Sequence, residues 1–219
     1  MKIVRHAIVL AAFCLIALPA VGAPVAVPAF EIGVKGGLSC ASFFWEENNS
    51  WNDLTMFVFH PNLYAQIAWN ISPSLALQLE CGYAGRGASI DATNEYAHWY
   101  FNYIEVPLWL KFQDRSAGMN AYAGAGGYVA WMLGGDYDFN APSVLLNGKG
   151  PLTFAGPADA THTPRLDFGI SGTVGGEFGQ TIAELRFAVG IPSVLDFTLI
   201  DGARKAINAD IQLLMGWRL

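Results

Sequence analysis

Beyond residue 23 the chain has only two cysteines, three histidines and few charges, and each scarcity removes a class of protein. Charged residues make up 14% of the 219 residues, with 12 Lys and Arg against 18 Asp and Glu. No basic cluster is present, and nucleic-acid binding needs one. His60, His98 and His162 lie far apart, without the paired spacing of a metal site, and no Ser stands at a recognisable distance from any of them. Phosphate loops and dinucleotide fingerprints are also missing. The reading is therefore of a protein with no catalytic residues, no metal and no cofactor. No apolar run after the first two dozen residues approaches the ~20 residues of a membrane helix. Yet 53% of the chain is hydrophobic and its mean hydropathy is +0.32. That much apolar side chain must be dispersed along the chain.

The first segment is set apart from the rest. Lys2 and Arg5 precede an apolar stretch from Ala7 to Leu18, then Pro19 and the small-residue ending Val21-Gly22-Ala23. This is the pattern of a cleaved signal peptide over 1–23. Cys14 follows bulky Phe13 inside that stretch, so no lipid anchor is expected. Residues 24–219 are left as one exported domain.

The dispersal is by alternation. Ile207, Ala209, Ile211, Leu213, Met215 and Trp217 share one parity, opposed by Asn208, Asp210, Gln212, Gly216 and Arg218. A period of two is that of a strand with one apolar face. The same parity runs through 30–39, 62–71, 75–84, 104–112, 165–178 and 183–190. The Gly- and Ala-rich stretch 120–133 has no legible parity. Eight strands result, with short links at Ser72-Pro73-Ser74, 113–118 and Gly179-Gln180. Long links near 42–60, 86–101, 135–164 and 191–203 alternate with them. The fold class expected is all-β, an eight-stranded antiparallel up-and-down transmembrane β-barrel, because short turns at one end and long loops at the other are how bacterial barrels are built.

The polar faces carry Gly, Ala, Ser, Tyr and a nearly balanced set of charges, which suits a crowded lumen better than a solvated surface. Lys35, Glu80, Arg86, Glu105, Lys111, Arg165, Asp167, Glu177, Glu184, Arg186, Asp210 and Arg218 are read as a lumen ion-pair network, with Glu31 on the same face. Charges so buried must be paired. The outer loops are acidic, with Glu46, Glu47, Asp53, Asp91, Glu95, Asp136, Asp138 and Asp159, and among their aromatics Trp45, Trp51, Tyr96, Trp99 and Tyr137 are read as surface-recognition residues. Cys40 and Cys81 face outward on the first and third strands, too far apart for a disulfide.

Leu77-Gln78-Leu79-Glu80-Cys81-Gly82-Tyr83, Asn102-Tyr103-Ile104-Glu105-Val106-Pro107-Leu108-Trp109-Leu110-Lys111-Phe112, Asp167-Phe168-Gly169-Ile170 and Glu184-Leu185-Arg186-Phe187 resemble the small outer-membrane β-barrel domain called porin-like or PorT-like. The resemblance implies the fold and an outer-membrane location, and no single activity. Gly216-Trp217-Arg218-Leu219 resembles the last strand that barrel assembly machinery recognises, with Leu in place of a terminal Phe. The expected partners are outer-membrane lipid, the assembly machinery and an extracellular protein. The function expected is a structural or surface-interaction role, with a narrow conduit for small apolar solutes as the alternative.

Overall fold

The computed structural model describes residues 29–45, 55–92, 94–115, 119–141, 146–154, 162–196 and 205–219. The segment 1–23 expected to be a signal peptide, Trp51 and the tips of three long connections lie outside them. Eight long strands follow the alternating stretches of the sequence: β1 (Phe30–Trp45), β3 (Val58–Ser72), β4 (Leu75–Ala92), β5 (Glu95–Asp114), β6 (Met119–Ala141), β8 (Leu166–Phe178), β9 (Thr181–Gly190) and β11 (Lys205–Arg218). Three short pieces flank them: β2 (Thr55–Met56) on β4, β7 (Leu146–Pro151) on β6 and β10 (Leu195–Asp196) on β11. Every pairing of neighbours is antiparallel, and β1 returns to pair with β11. The chain is an eight-stranded up-and-down barrel, as its alternation led us to expect.

Closure is staggered. Following partners around the wall from Ile32 leads through Ile67, Leu79, Leu108, Gly127, Ile170, Val189 and Ala209 to Ser42, ten positions further along the starting strand. A stagger of ten over eight strands, with a rise of ~3.3 Å per residue and ~4.8 Å between strands, tilts the strands by about 40°. The same geometry gives a backbone radius of roughly 8 Å, which inward side chains can fill.

The alternation sorts side chains by wall face. Ile32, Val34, Leu38, Leu63, Ile67, Leu79, Val106, Leu108, Leu110, Val129, Ile170 and Leu213 all point outward and are exposed. Phe30, Trp69, Phe112, Phe178 and Trp217 border this apolar belt toward the end with the short turns, and Phe57, Phe59 and Trp131 border it toward the other. The wall resolves the parity of the Gly-rich strand: Asn120, Tyr122, Tyr128, Ala130 and Met132 face inward, and Val129, Trp131 and Leu133 outward.

Two expectations change. The link near 86–101 is almost all strand, since β4 runs to Ala92 and β5 starts at Glu95, with Asn94 turning the chain at φ 68°. The sequence masks this because the extended hairpin stands beyond the apolar belt, where its outward positions are polar. Likewise β1 continues to Trp45, and β6 to Ala141, where it folds back as β7. Cys40 and Cys81 are free thiols on β1 and β4, which flank β3. Their partners on β3 are Phe59 and Ala65, six positions apart, so about 20 Å of strand separates them besides the intervening β3.

Candidate functional site: the filled lumen and the outer rim

The lumen holds three polar layers. Around the midplane toward the turn end, Lys35 donates to Glu80 at 2.7 Å and Glu184 at 2.8 Å, while Arg186 donates to the same two carboxylates at 2.7 Å each. Lys111 adds a 3.2 Å contact to Glu184, whose other donor is the Tyr122 hydroxyl at 2.8 Å. The Arg186 guanidinium lies between the rings of Tyr64 and Trp109, 4.8 and 4.6 Å from their centroids. Desolvated cation–π contacts of this kind are worth up to about 2 kcal/mol each.

The next layer is centred on Arg86. It pairs with Glu105, with Asp167 at 2.9 Å and with Asp210 at 2.8 Å, so one guanidinium meets three carboxylates. Tyr64 donates to Glu105 at 3.1 Å and Tyr128 to Asp167 at 3.3 Å, and Asn208 donates to Asp167 at 2.9 Å. Side chains in both layers are essentially without solvent contact. A third layer closes the turn end, where Arg115 pairs with Glu31 at 2.9 Å and Arg218 reaches Glu177 at 3.2 Å and Glu31 at 3.4 Å.

Above the Arg86 layer the lumen turns apolar. Phe43, Trp99, Phe101, Met132 and Phe139 pack with Leu152 and with Val194 and Leu195, which fold in from the β9–β11 connection. Phe43 meets Phe101 at 5.7 Å and Trp99 at 5.8 Å between centroids. This aromatic cluster fills the mouth.

Eleven of the twelve expected lumen charges thus come together inside. Arg165 does not. It is exposed at the entry to β8, its guanidinium 4.2 Å from the Phe154 ring and 6.0 Å from that of Trp131. One residue decides the difference, because Leu166 already faces outward and Asp167 is the first inward position. Arg115, which follows β5, completes the turn-end layer in its place; it was not read from the sequence because it lies past the last alternating residue. The inward Tyr64 and Trp109 were legible as polar-face residues but not as ring partners of the cations, while Tyr122 and Tyr128 lie in the stretch whose parity was not legible.

The expected recognition aromatics also divide. Trp45 and Trp99 are buried, and Trp99 has no exposed surface, so neither can present a ring to a partner. Tyr137 shares their wall face and stacks on Phe139 at 4.7 Å, half-buried against the mouth cluster. Only Tyr96 points outward, beside His98 and Tyr100 on the same face of β5. Trp51 falls outside the described residues.

This outward face beyond the belt is polar and ordered. His98 Nε2 lies 3.1 Å from Asp91 Oδ1, and Ser89 donates to the other oxygen at 2.7 Å. Partial burial favours neutral Asp91, but those two hydrogen bonds outweigh it and hold the carboxyl below its ordinary value. The Lys149 ammonium, 2.9 Å away, lowers Asp138 in the same direction, and is itself raised by that contact.

No family model matches the sequence, and no curated protein does. Among solved structures the chain is similar to Ail, the attachment invasion locus protein of Yersinia pestis, crystallised with the heparin analogue sucrose octasulfate. The identity is 9% over 88% of this chain and 100% of that one, with a TM-score of 0.42. It is also similar to Neisserial surface protein A, at 8% identity over 88% and 98%, TM-score 0.43. The N-terminal β-barrel domain of Pseudomonas aeruginosa OprF gives 8% identity over 83% and 96%, TM-score 0.32.

Proposed function

We propose that this protein is an integral outer-membrane barrel with a closed lumen, whose work is done by the surface it presents beyond the membrane. The observation that carries this reading is the combination of an outward apolar belt with a lumen blocked at every level. In β5 the belt runs from Ile104 to Phe112, which at a 40° tilt spans about 20 Å of height, close to the ~25 Å band of such barrels. A wall this apolar is stable only in lipid, since exposed patches of a few hundred Å² already mark interaction surfaces. Closure leaves no long strand of the belt with an unpaired edge there. The short turns then face the periplasm and the extended β4–β5 and β6–β7 hairpins face outside. The charged lumen is structural, and no catalytic role is assigned to its carboxylates.

The alternative, a conduit for small apolar solutes, is disfavoured by the polar layers and the aromatic mouth above them. An extracellular protein with a basic surface fits the rim, where Asp91, Asp136 and Asp138 outweigh Lys149, and nucleic acid does not. The connections within 42–60 and 135–164 are assigned the contact. Replacing 46–54 and 142–145 with short Gly-Ser links should leave heat-modifiable migration on gels intact while abolishing binding of the folded protein to extracellular partners. Unchanged binding, or failure of antibodies against these segments to label intact cells, would sink the assignment.

A further inference from the structure

On the outward wall beyond the belt, three neighbouring strands set out a regular grid. β5 presents Tyr100, His98 and Tyr96 in alternate positions. Their partners on β4 are Gly87, Ser89 and Asp91, and on β6 they are Asp136, Asp138 and Asn140. A column of rings is therefore flanked on both sides by carboxylates, a hydroxyl and an amide. Tyr96 and His98 lie 4.9 Å apart, tilted by 30°, and His98 and Tyr100 lie 6.4 Å apart. Gly87 places no side chain beside Tyr100, the His60 ring meets it edge-on at 5.8 Å, and Tyr100 stays 38% exposed.

We infer that this grid binds the saccharide headgroups of the glycolipid in the surrounding outer leaflet. The inference rests on the outer-membrane reading above and adds a ligand to it. Three observations favour this occupant. The first is chemistry: aromatic faces carry a negative quadrupole that attracts the C–H groups of a pyranose ring, while sugar hydroxyls donate to carboxylates and amides placed alongside. Second is charge, because among the described residues of this face Asp91, Asp136 and Asp138 outnumber Lys149, which pairs with Asp138, and the excess of carboxylates repels polyanions and leaves neutral sugar units as the partner. The third is position. The grid continues the outward face of β5 past one register shift against β6 at Asn102/Tyr103, and Tyr100 stands four residues beyond Ile104, the last apolar residue of the belt on β5. At the tilt of the strands the rings then stand roughly 10 to 20 Å above the hydrocarbon, beside headgroups rather than beyond them. A surface meant for a distant partner belongs on the loop tips; this one faces sideways into the leaflet.

The test uses the folded full-length mature protein in nanodiscs, in three lipid settings: phospholipid alone, phospholipid with lipid A, and phospholipid with lipooligosaccharide bearing neutral core sugars. Histidine ring NMR signals should shift at His98 only with the core sugars present. Native mass spectrometry should show retained lipooligosaccharide that falls at least tenfold in Tyr96→Ala/Tyr100→Ala, and is kept in Tyr96→Phe/Tyr100→Phe. Equal retention in the alanine variant, or His98 shifts already complete with lipid A, overturns the proposal. So do equal shifts with delipidated core oligosaccharide, which place the source in free glycans instead of the leaflet. Should the alanine variant not fold, the wild-type NMR comparison alone decides. Failure to enter nanodiscs at all refutes the membrane reading, whereas insertion without sugar-dependent shifts refutes only the headgroup site.

Discussion

At the residue scale the lumen charges are unequal in their consequences, because their pairing is not one to one. Glu105 by its sequence position is expected to leave an opposite charge unpaired when removed. The structure shows that Arg86 keeps Asp167 and Asp210 in that case. Removing Arg86 instead strands three carboxylates in a buried site. Breaking a buried pair costs about 3–5 kcal/mol when one partner is left uncompensated. Arg86→Met should therefore destabilise by at least that, and Glu105→Gln by about 1–3 kcal/mol, the cost of a lost buried hydrogen bond. Urea unfolding from lipid vesicles, followed by tryptophan fluorescence, measures both; a larger loss in Glu105→Gln would contradict the three-to-one arrangement. The opposite wall face gives a complementary test. Leu108 is exposed at the centre of the belt, so Leu108→Arg should cost about 2–4 kcal/mol near the midplane while Leu108→Ala costs much less. Tolerance of the arginine with loss from the alanine would mean that the faces are reversed.

At the element scale the glycines of the strands acquire a reason. Tyr64 lies opposite Gly82, Tyr122 opposite Gly175 and Tyr128 opposite Gly169, each pair facing inward across two neighbouring strands. A Cβ on Gly169 would stand 2.1 Å from the Val189 carbonyl oxygen and 2.7 Å from the Tyr128 ring. Small residues beside large ones let the rings lie flat over the wall, so that their hydroxyls reach the carboxylates. Gly169→Ala should therefore cost about 1–3 kcal/mol through overpacking. Gly127→Ala, on the outward face with only the Gly169 carbonyl oxygen at 3.2 Å, should be near neutral. Equal losses in vesicle unfolding would remove the pairing as an explanation. The eight strands themselves were legible because a two-residue period survives wherever one face belongs to the apolar belt and the other to the lumen. It fails in two places, for different reasons. In 120–133 both faces hold small residues, and the inward Gly124 and Gly126 look like the outward Ala125 and Gly127. Beyond the belt, in 86–101 and 135–141, the outward face becomes polar, while the inward face gains Trp99, Phe101 and Phe139. The period persists there with its sign exchanged, which is why Trp99 reads as a loop aromatic and is a buried one.

At the scale of the whole molecule, that exchange of sign makes the barrel two stacked solutions to one problem. Along the belt, the outside is apolar and the inside is an ion-pair network. Beyond the belt, the outside is polar and the inside is an aromatic core like that of a soluble protein. Each half blocks the lumen by a separate means, and a backbone radius of roughly 8 Å leaves no axial space once Arg186, Tyr64 and Trp109 are stacked across it. Purified protein in planar bilayers should therefore give no ion-sized conductance steps. Phe101→Ala loosens the mouth alone, and should stay silent because the Arg86 and Arg186 layers remain beneath it. Arg86→Met combined with Phe101→Ala disturbs both halves, and brief openings there, from protein still heat-modifiable on gels, would identify the network as the inner seal. Steady conductance from the unmodified protein would instead mean that the ionic layers part in the membrane, and would restore the conduit reading over the closed surface barrel.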